Sequence, residues 1–158
     1  MQLTTFTDYS LRVLIYAALR GDGPATINDV SNAYQISRNH VTKVVFRLSQ
    51  LGYLETTRGK GGGMRLARRP ELIVIGRVVR QTEEDFGLVG CLPNRGEFCM
   101  VEPACILKSA VMEALDAFFA VLDRYTLADL IDPRQKVSEL LGIQMEKRKR
   151  GPEASIPS

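Results

Sequence analysis

No apolar run in this 158-residue chain approaches the roughly 18 residues of a membrane span. The opening Met1-Gln2-Leu3-Thr4 also lacks the basic residues of a secretory leader. The expected address is the cytoplasm, where free thiols and metal thiolates persist. Histidine occurs once, at His40, and cysteine three times, at Cys91, Cys99 and Cys105. An odd cysteine count argues against a simple disulfide framework, and a chain of this length buries roughly two-thirds of its unfolded surface, so it folds without cross-links. There is no Cys-x-x-Cys pair, no histidine beside the cysteines and no convergent acid–base set, so little supports a thiol redox or metal-handling enzyme. Two phosphate-binding signatures are missing as well. Gly59-Lys60 is not followed by Ser or Thr, and Met64 stands where a dinucleotide fingerprint needs its third glycine. No internal repeat is visible.

What is present is an uneven charge distribution. Residues 36–80 carry ten Lys or Arg against Glu55 and Glu71, a net +8, whereas residues 81–145 carry eleven acids against five bases, a net −6. A basic block followed by an acidic half suits one surface that faces phosphate and another that faces away. A merely solvated charged face has the same composition, so the elements inside the block decide its meaning.

Phe6, Tyr9, Leu11, Val13, Leu14, Ala17, Ala18 and Leu19 recur at helical spacing and predict a first amphipathic helix ending at Gly21-Asp22-Gly23-Pro24. Thr26, with Asp29 three residues on, predicts the capped start of a second helix that runs to about Tyr34. Ser37 caps a third, which turns Val41, Val44, Val45 and Leu48 inward and Arg38, Asn39, His40, Lys43 and Arg47 outward. Two short helices around a brief turn, the second basic on its outer face, read as a helix-turn-helix. Tyr53–Thr57 and Met64–Leu66 then form two short strands around Gly59-Lys60-Gly61-Gly62-Gly63, a wing whose Arg58 and Lys60 reach toward a groove. A further helix over Gly76–Arg80 packs under the wing. A long helix is expected from Pro103 to about Tyr125. Its stripe of Leu107, Val111, Ala114, Leu115, Phe118, Val121 and Leu122 faces a second copy of the chain, because the winged unit closes near residue 85. The fold class is therefore mainly α with a small β-wing, a winged helix-turn-helix domain plus a long dimerisation helix. Met145–Ser158, with Lys147-Arg148-Lys149-Arg150 and two prolines, reads as a disordered basic tail.

Seven residues separate Cys91 from Cys99, and five separate Cys99 from Cys105, which does not match a zinc ribbon with paired short gaps. By themselves these cysteines fit either buried structural thiols or soft ligands of an iron–sulfur cluster. A cluster normally takes four thiolates, so three would need a non-thiolate partner.

The segments Met1-Gln2-Leu3-Thr4, Phe6-Thr7-Asp8-Tyr9, Leu11-Arg12, Ser37-Arg38-Asn39-His40, Arg58-Gly59-Lys60 with Gly62-Gly63, and Tyr125-Thr126-Leu127-Ala128-Asp129-Leu130 resemble the Rrf-type winged-helix transcriptional regulators, specifically their nitric-oxide-sensitive branch. The resemblance spans residues 1–141. It implies a cytoplasmic homodimeric repressor that binds palindromic double-stranded operator DNA of nitric-oxide detoxification genes and is released when nitric oxide nitrosylates its iron–sulfur cluster. One cluster per subunit is implied, a 4Fe-4S form with 2Fe-2S as the alternative, held by Cys91, Cys99 and Cys105. The fourth ligand it implies is Asp8 of the partner subunit. A histidine close to the cysteines, found in the iron–sulfur biogenesis branch, has no counterpart here. Regulation of iron–sulfur assembly or iron supply through the same cluster-gated binding is the alternative function. The expected DNA-binding set is Arg12, Ser37, Arg38, Asn39, His40, Lys43, Arg47, Arg58, Gly59 and Lys60. The expected division is a DNA-binding domain over 1–85, a cluster-binding loop over 86–105, a dimerisation helix and C-terminal segment over 103–141, and the tail over 142–158.

Overall fold

Thr4 caps the first helix, α1 (Thr5–Arg20), by accepting the Thr7 N–H at 3.3 Å, and the chain leaves it through Gly21 at φ 62°. The computed structural model describes residues 2–21, 23–59, 61–87 and 105–143. Within α1, Val13, Leu14, Ala17, Ala18 and Leu19 are buried, the face expected from their spacing. The second helix, α2 (Ile27–Tyr34), begins with a reciprocal capping box. Asp29 N–H donates to Thr26 Oγ1 at 3.1 Å, and Thr26 N–H donates to Asp29 Oδ2 at 2.8 Å. The turn that follows is built by Gln35 in the left-handed region (φ 55°), buried Ile36, and the Ser31 hydroxyl donating to the Ile36 carbonyl at 2.6 Å. It delivers the chain into α3 (Arg38–Gln50), capped by Ser37, which buries Val41, Val44, Val45 and Leu48.

Strands β1 (Leu54–Thr57) and β2 (Gly63–Leu66) pair antiparallel, with Leu54 opposite Leu66 and Thr57 opposite Gly63. A bridge between Ala25 and Met64 ties the wing to the start of α2. A 3-10 turn (Pro70–Leu72) leads to α4 (Ile75–Thr82), and Tyr53 under the wing donates its hydroxyl to Gln81 Oε1 at 2.6 Å.

The long helix, α5, runs Ile106–Leu122, containing the whole apolar stripe but shorter at both ends than the expected span from Pro103 to about Tyr125. Cys105 is its N-cap rather than a first-turn residue, and Tyr125 lies beyond its end. Its most buried residue is Phe119, which joins the main core, and Phe118 of the expected stripe is half-buried beside it. The other end is bare: Ile106 and Leu107 are 84% and 61% exposed. The chain then returns through α6 (Leu127–Leu130) and α7 (Arg134–Leu140). Leu127, Ile131 and Ile143 enter the same core as α1, and Thr126 bridges to Val74. Arg134 Nη2 donates to the Ala18 and Leu19 carbonyls at 3.0 and 3.1 Å, placing a cation on the C-terminal end of α1. The core of the winged unit thus draws on residues well beyond 85.

The α4–α5 junction is tightly built. Arg80 grips Asp123 with two hydrogen bonds of 2.6 and 2.8 Å while its guanidinium lies 4.1 Å from the Phe119 ring centre. Gly76 sits beneath Asp123, where a Cβ would collide with the carboxylate. No helix among the described residues is long and apolar enough to cross a membrane.

Candidate nucleic-acid interface

The buried side of α3 fixes which of its residues can face outward. With Val41, Val44, Val45 and Leu48 in the core, Arg38, Asn39, His40, Thr42, Lys43, Phe46, Arg47 and Gln50 are exposed. Ser37 is exposed too, but its hydroxyl is committed to the N-cap, accepting the His40 N–H at 3.4 Å. His40 leans toward α1, its ring centre 6.0 Å from that of Tyr9.

The wing tip carries Arg58 and Gly59, both exposed, while Lys60 lies outside the described residues. Gly59 and Gly61 take φ of 99° and 80°, conformations that side chains other than glycine rarely adopt, and a Cβ on Gly62 would meet the Thr57 carbonyl. The glycines are therefore needed to close this turn.

Not all of the +8 block is free to meet phosphate. Arg68 stacks over the Tyr53 ring at 5.3 Å, Arg69 pairs with Glu71 at 3.3 Å, and Arg80 is held by Asp123. Arg12 is engaged as well. Its Nη2 is 2.9 Å from Asp8 Oδ2, its Nε donates to Asp8 Oδ1 at 3.1 Å, and its guanidinium lies 5.6 Å from the Tyr34 ring centre. Burial pushes the Tyr34 hydroxyl up to about 12 despite the opposing pull of Arg12, so the ring stays a neutral platform.

The expected sensing residues are only partly described. Asp8 sits in the first turn of α1 with its side chain 45% exposed. Cys105 is a half-buried free thiol at the head of α5, its Sγ accepting the Lys108 N–H at 3.4 Å. Cys91 and Cys99 lie outside the described residues. Among the described residues, no three of His, Cys, Asp or Glu converge on a common point.

Residues 3–133 match the Rrf2 family, described as iron-dependent transcriptional regulators. The chain belongs to the Rrf2 family. Within it, the chain is similar to proteins called HTH-type transcriptional regulator NsrR. The Bacillus subtilis (strain 168) relative is 50% identical over 142 residues, 89% of this chain and 97% of the relative. The Geobacillus kaustophilus (strain HTA426) relative is 49% identical over 152 residues, covering 96% and 100%. The solved structure of T. potens IscR superposes with a TM-score of 0.67 over 87% of this chain and 90% of that one, at 22% identity, which shows a shared fold. Rrf2 membership makes the protein a DNA-binding transcriptional regulator, and these relatives place it among the NsrR group.

Two features of this Rrf2 regulator escaped the reading of its sequence. Phe46, of a residue type usually assigned to a core, is 65% exposed on α3. Its spacing from Asn39 and Lys43 was the available signal. Arg80 belongs by sequence to the +8 block, whereas its partner Asp123 lies 43 residues away, a pairing no local pattern reveals.

Proposed function

We propose that this protein is a nitric-oxide-responsive repressor that binds palindromic operator DNA as a homodimer while it holds an iron–sulfur cluster and lets go when nitric oxide nitrosylates that cluster. The observation that carries the DNA part is the outer face of α3, polar and basic beside a glycine-closed wing with Arg58 at its tip. The first-turn residues Arg38 and Asn39 supply donors for base edges, while Lys43, Arg47, Gly59 and Lys60 approach the backbone. Two such faces in a dimer read half-sites about one helical turn (~34 Å) apart, or a multiple of it. The bare apolar end of α5, with Ile106 and Leu107, supplies the surface for a second copy.

The cluster part rests on donor chemistry. Cys105 stands at the N-terminal end of α5, where its Sγ accepts the Lys108 N–H. Cys91 and Cys99 complete a three-thiolate set, most simply around a 4Fe-4S cluster. Asp8, half exposed on α1, offers a carboxylate oxygen to the partner's cluster, and in leaving Arg12 it would free that guanidinium for DNA. A bound cluster supplies iron that reacts with nitric oxide. A carboxylate is a harder ligand for that iron than the three thiolates. The proposed division follows: 1–85 reads DNA, 86–105 holds the cluster and 103–141 dimerises; of the expected tail over 142–158, Ile143 is packed in the core and residues 144–158 lie outside the described residues. Control of iron–sulfur assembly or iron supply is a second reading, favoured by the description of the family as iron-dependent.

Anaerobic purification should give brown dimer that shifts operator duplex, and nitric-oxide titration should bleach it and release the duplex in step. Bleaching with unchanged operator affinity rejects nitric-oxide gating and leaves the iron reading standing. Arg58→Ala should weaken specific binding by about 1–3 kcal/mol if its guanidinium enters a groove. Wild-type affinity in that variant removes the wing from the interface.

A further inference from the structure

We propose that Phe46 is a specificity-determining residue that reads the C5-methyl group of a thymine in the major groove. This rests on the proposed docking of α3 into DNA and adds to it an apolar contact at one base position. Opposite the buried residues of α3, Asn39, Lys43, Phe46 and Gln50 follow one another at spacings of four, three and four. Phe46 therefore lies near the middle of the outward stripe rather than at its edge. It stands eight residues beyond Arg38, about 12 Å along the helix axis at ~1.5 Å per residue, which is about three to four base steps at ~3.4 Å each.

The ring is 65% exposed. A phenyl group left in water gives up a large apolar burial, so the identity of its cover matters. Its neighbours on the helix surface are Lys43 and Arg47, both exposed. Charged residues are depleted at the cores of protein–protein interfaces, and the same charges complement a phosphate-lined groove. Phe46 lines one cleft together with Lys43, Arg47, Glu83 and Glu84, and the two carboxylates disfavour a phosphate against the ring, which leaves a base edge as its partner in DNA. Among the base edges of the major groove, only thymine presents an apolar group, its C5-methyl.

The test uses the cluster-loaded dimer and a duplex that the wild-type protein selects from a random library. Each thymine of one half-site is replaced in turn by deoxyuridine, which removes the methyl group and leaves every hydrogen-bonding atom in place. Wild-type protein should lose about four-fold in affinity at one position, the worth of one buried methyl group. Phe46→Ala should bind the thymine duplex at least that much more weakly and make no distinction between thymine and uracil there. Phe46→Leu should keep part of the distinction. Because the ring lies outside the core, the thermal midpoint of the variants should match wild type, and sedimentation should show intact dimer.

The inference is overturned if no thymine is sensitive to loss of its methyl, or if Phe46→Ala still discriminates. It is also overturned if Phe46→Ala dissociates the dimer without altering discrimination, which would make a second copy the cover. Failure of wild-type protein to select any duplex overturns the DNA reading itself, and is thereby told apart from failure of the Phe46 contact alone.

Discussion

Replacing any one of Cys91, Cys99 or Cys105 by alanine is expected to give colourless protein that no longer holds its operator tightly, while the dimer persists. Three thiolates are the most this chain can offer a cluster, with no fourth cysteine to substitute. For Cys105 there is a second, smaller effect. Its Sγ caps α5 through the Lys108 N–H, so Cys105→Ser should keep the cap and lose only the colour, whereas Cys105→Ala loses both. Iron and sulfide analysis, with circular dichroism for helix content, separates the two. A variant with a full complement of iron and sulfide shows that its cysteine is not a ligand. Mixing an Asp8→Ala subunit with a Cys99→Ala subunit tests the carboxylate in the same terms. With ligation across the dimer, the subunit that retains three cysteines receives Asp8 from its partner and forms one normal cluster. A mixed dimer whose spectrum equals that of the Asp8→Ala homodimer would mean that Asp8 acts within its own subunit or not at all.

Gly76→Ala should unseat the junction between α4 and α5, at a cost of about 1–3 kcal/mol from overpacking. The new Cβ lands on the Asp123 carboxylate, and that group cannot swing aside without breaking both of its hydrogen bonds to Arg80. The double variant Gly76→Ala/Asp123→Ala should recover most of the loss, because the obstacle is gone. Equal midpoints for the single and double variants would place the strain elsewhere. The junction also has an acid signature. The hydrogen bond from Arg80 holds the Asp123 carboxyl below its ordinary range. Its contribution is therefore complete above the unfolded value of about 3.9 and fades as pH falls through the lowered folded one. Asp123→Asn should flatten the wild-type dependence of melting temperature on pH in that acid window.

Local signals carried most of the fold. Thr26 with Asp29, Ser37 as a cap, the 3.6-residue recurrence across α1 and α3, and the glycine run of the wing each describe neighbours in sequence, and each is found where expected. The limits appear where a residue's partner is remote. The α5 stripe indicated a helix but not which side of it meets the core, since the adjacent Phe118 and Phe119 are equally apolar, and only α4 with Phe86 decides between them. Arg134 reads as one more surface cation until its contacts 115 and 116 residues away are known. On the outer face of α3, the exposed charged residues and the Ser37 cap are legible because the apolar recurrence that fixes the buried side is local. Phe46 is not, because exposure is a property of the assembled fold.

The tie between Arg134 and the end of α1 sets an order of events during synthesis. Helix α1 is made first, yet its C-terminal carbonyls and part of its apolar face are completed by residues 127–143. The reading head therefore cannot finish closing while the ribosome is still making α5, and the cysteine-bearing stretch is already outside the tunnel when it does. Contacts of such high sequence separation are slow to form. A fragment cut near residue 85 would leave the ribosome as an unfinished core, so transplanting the winged unit into another protein requires carrying the last helices along with it.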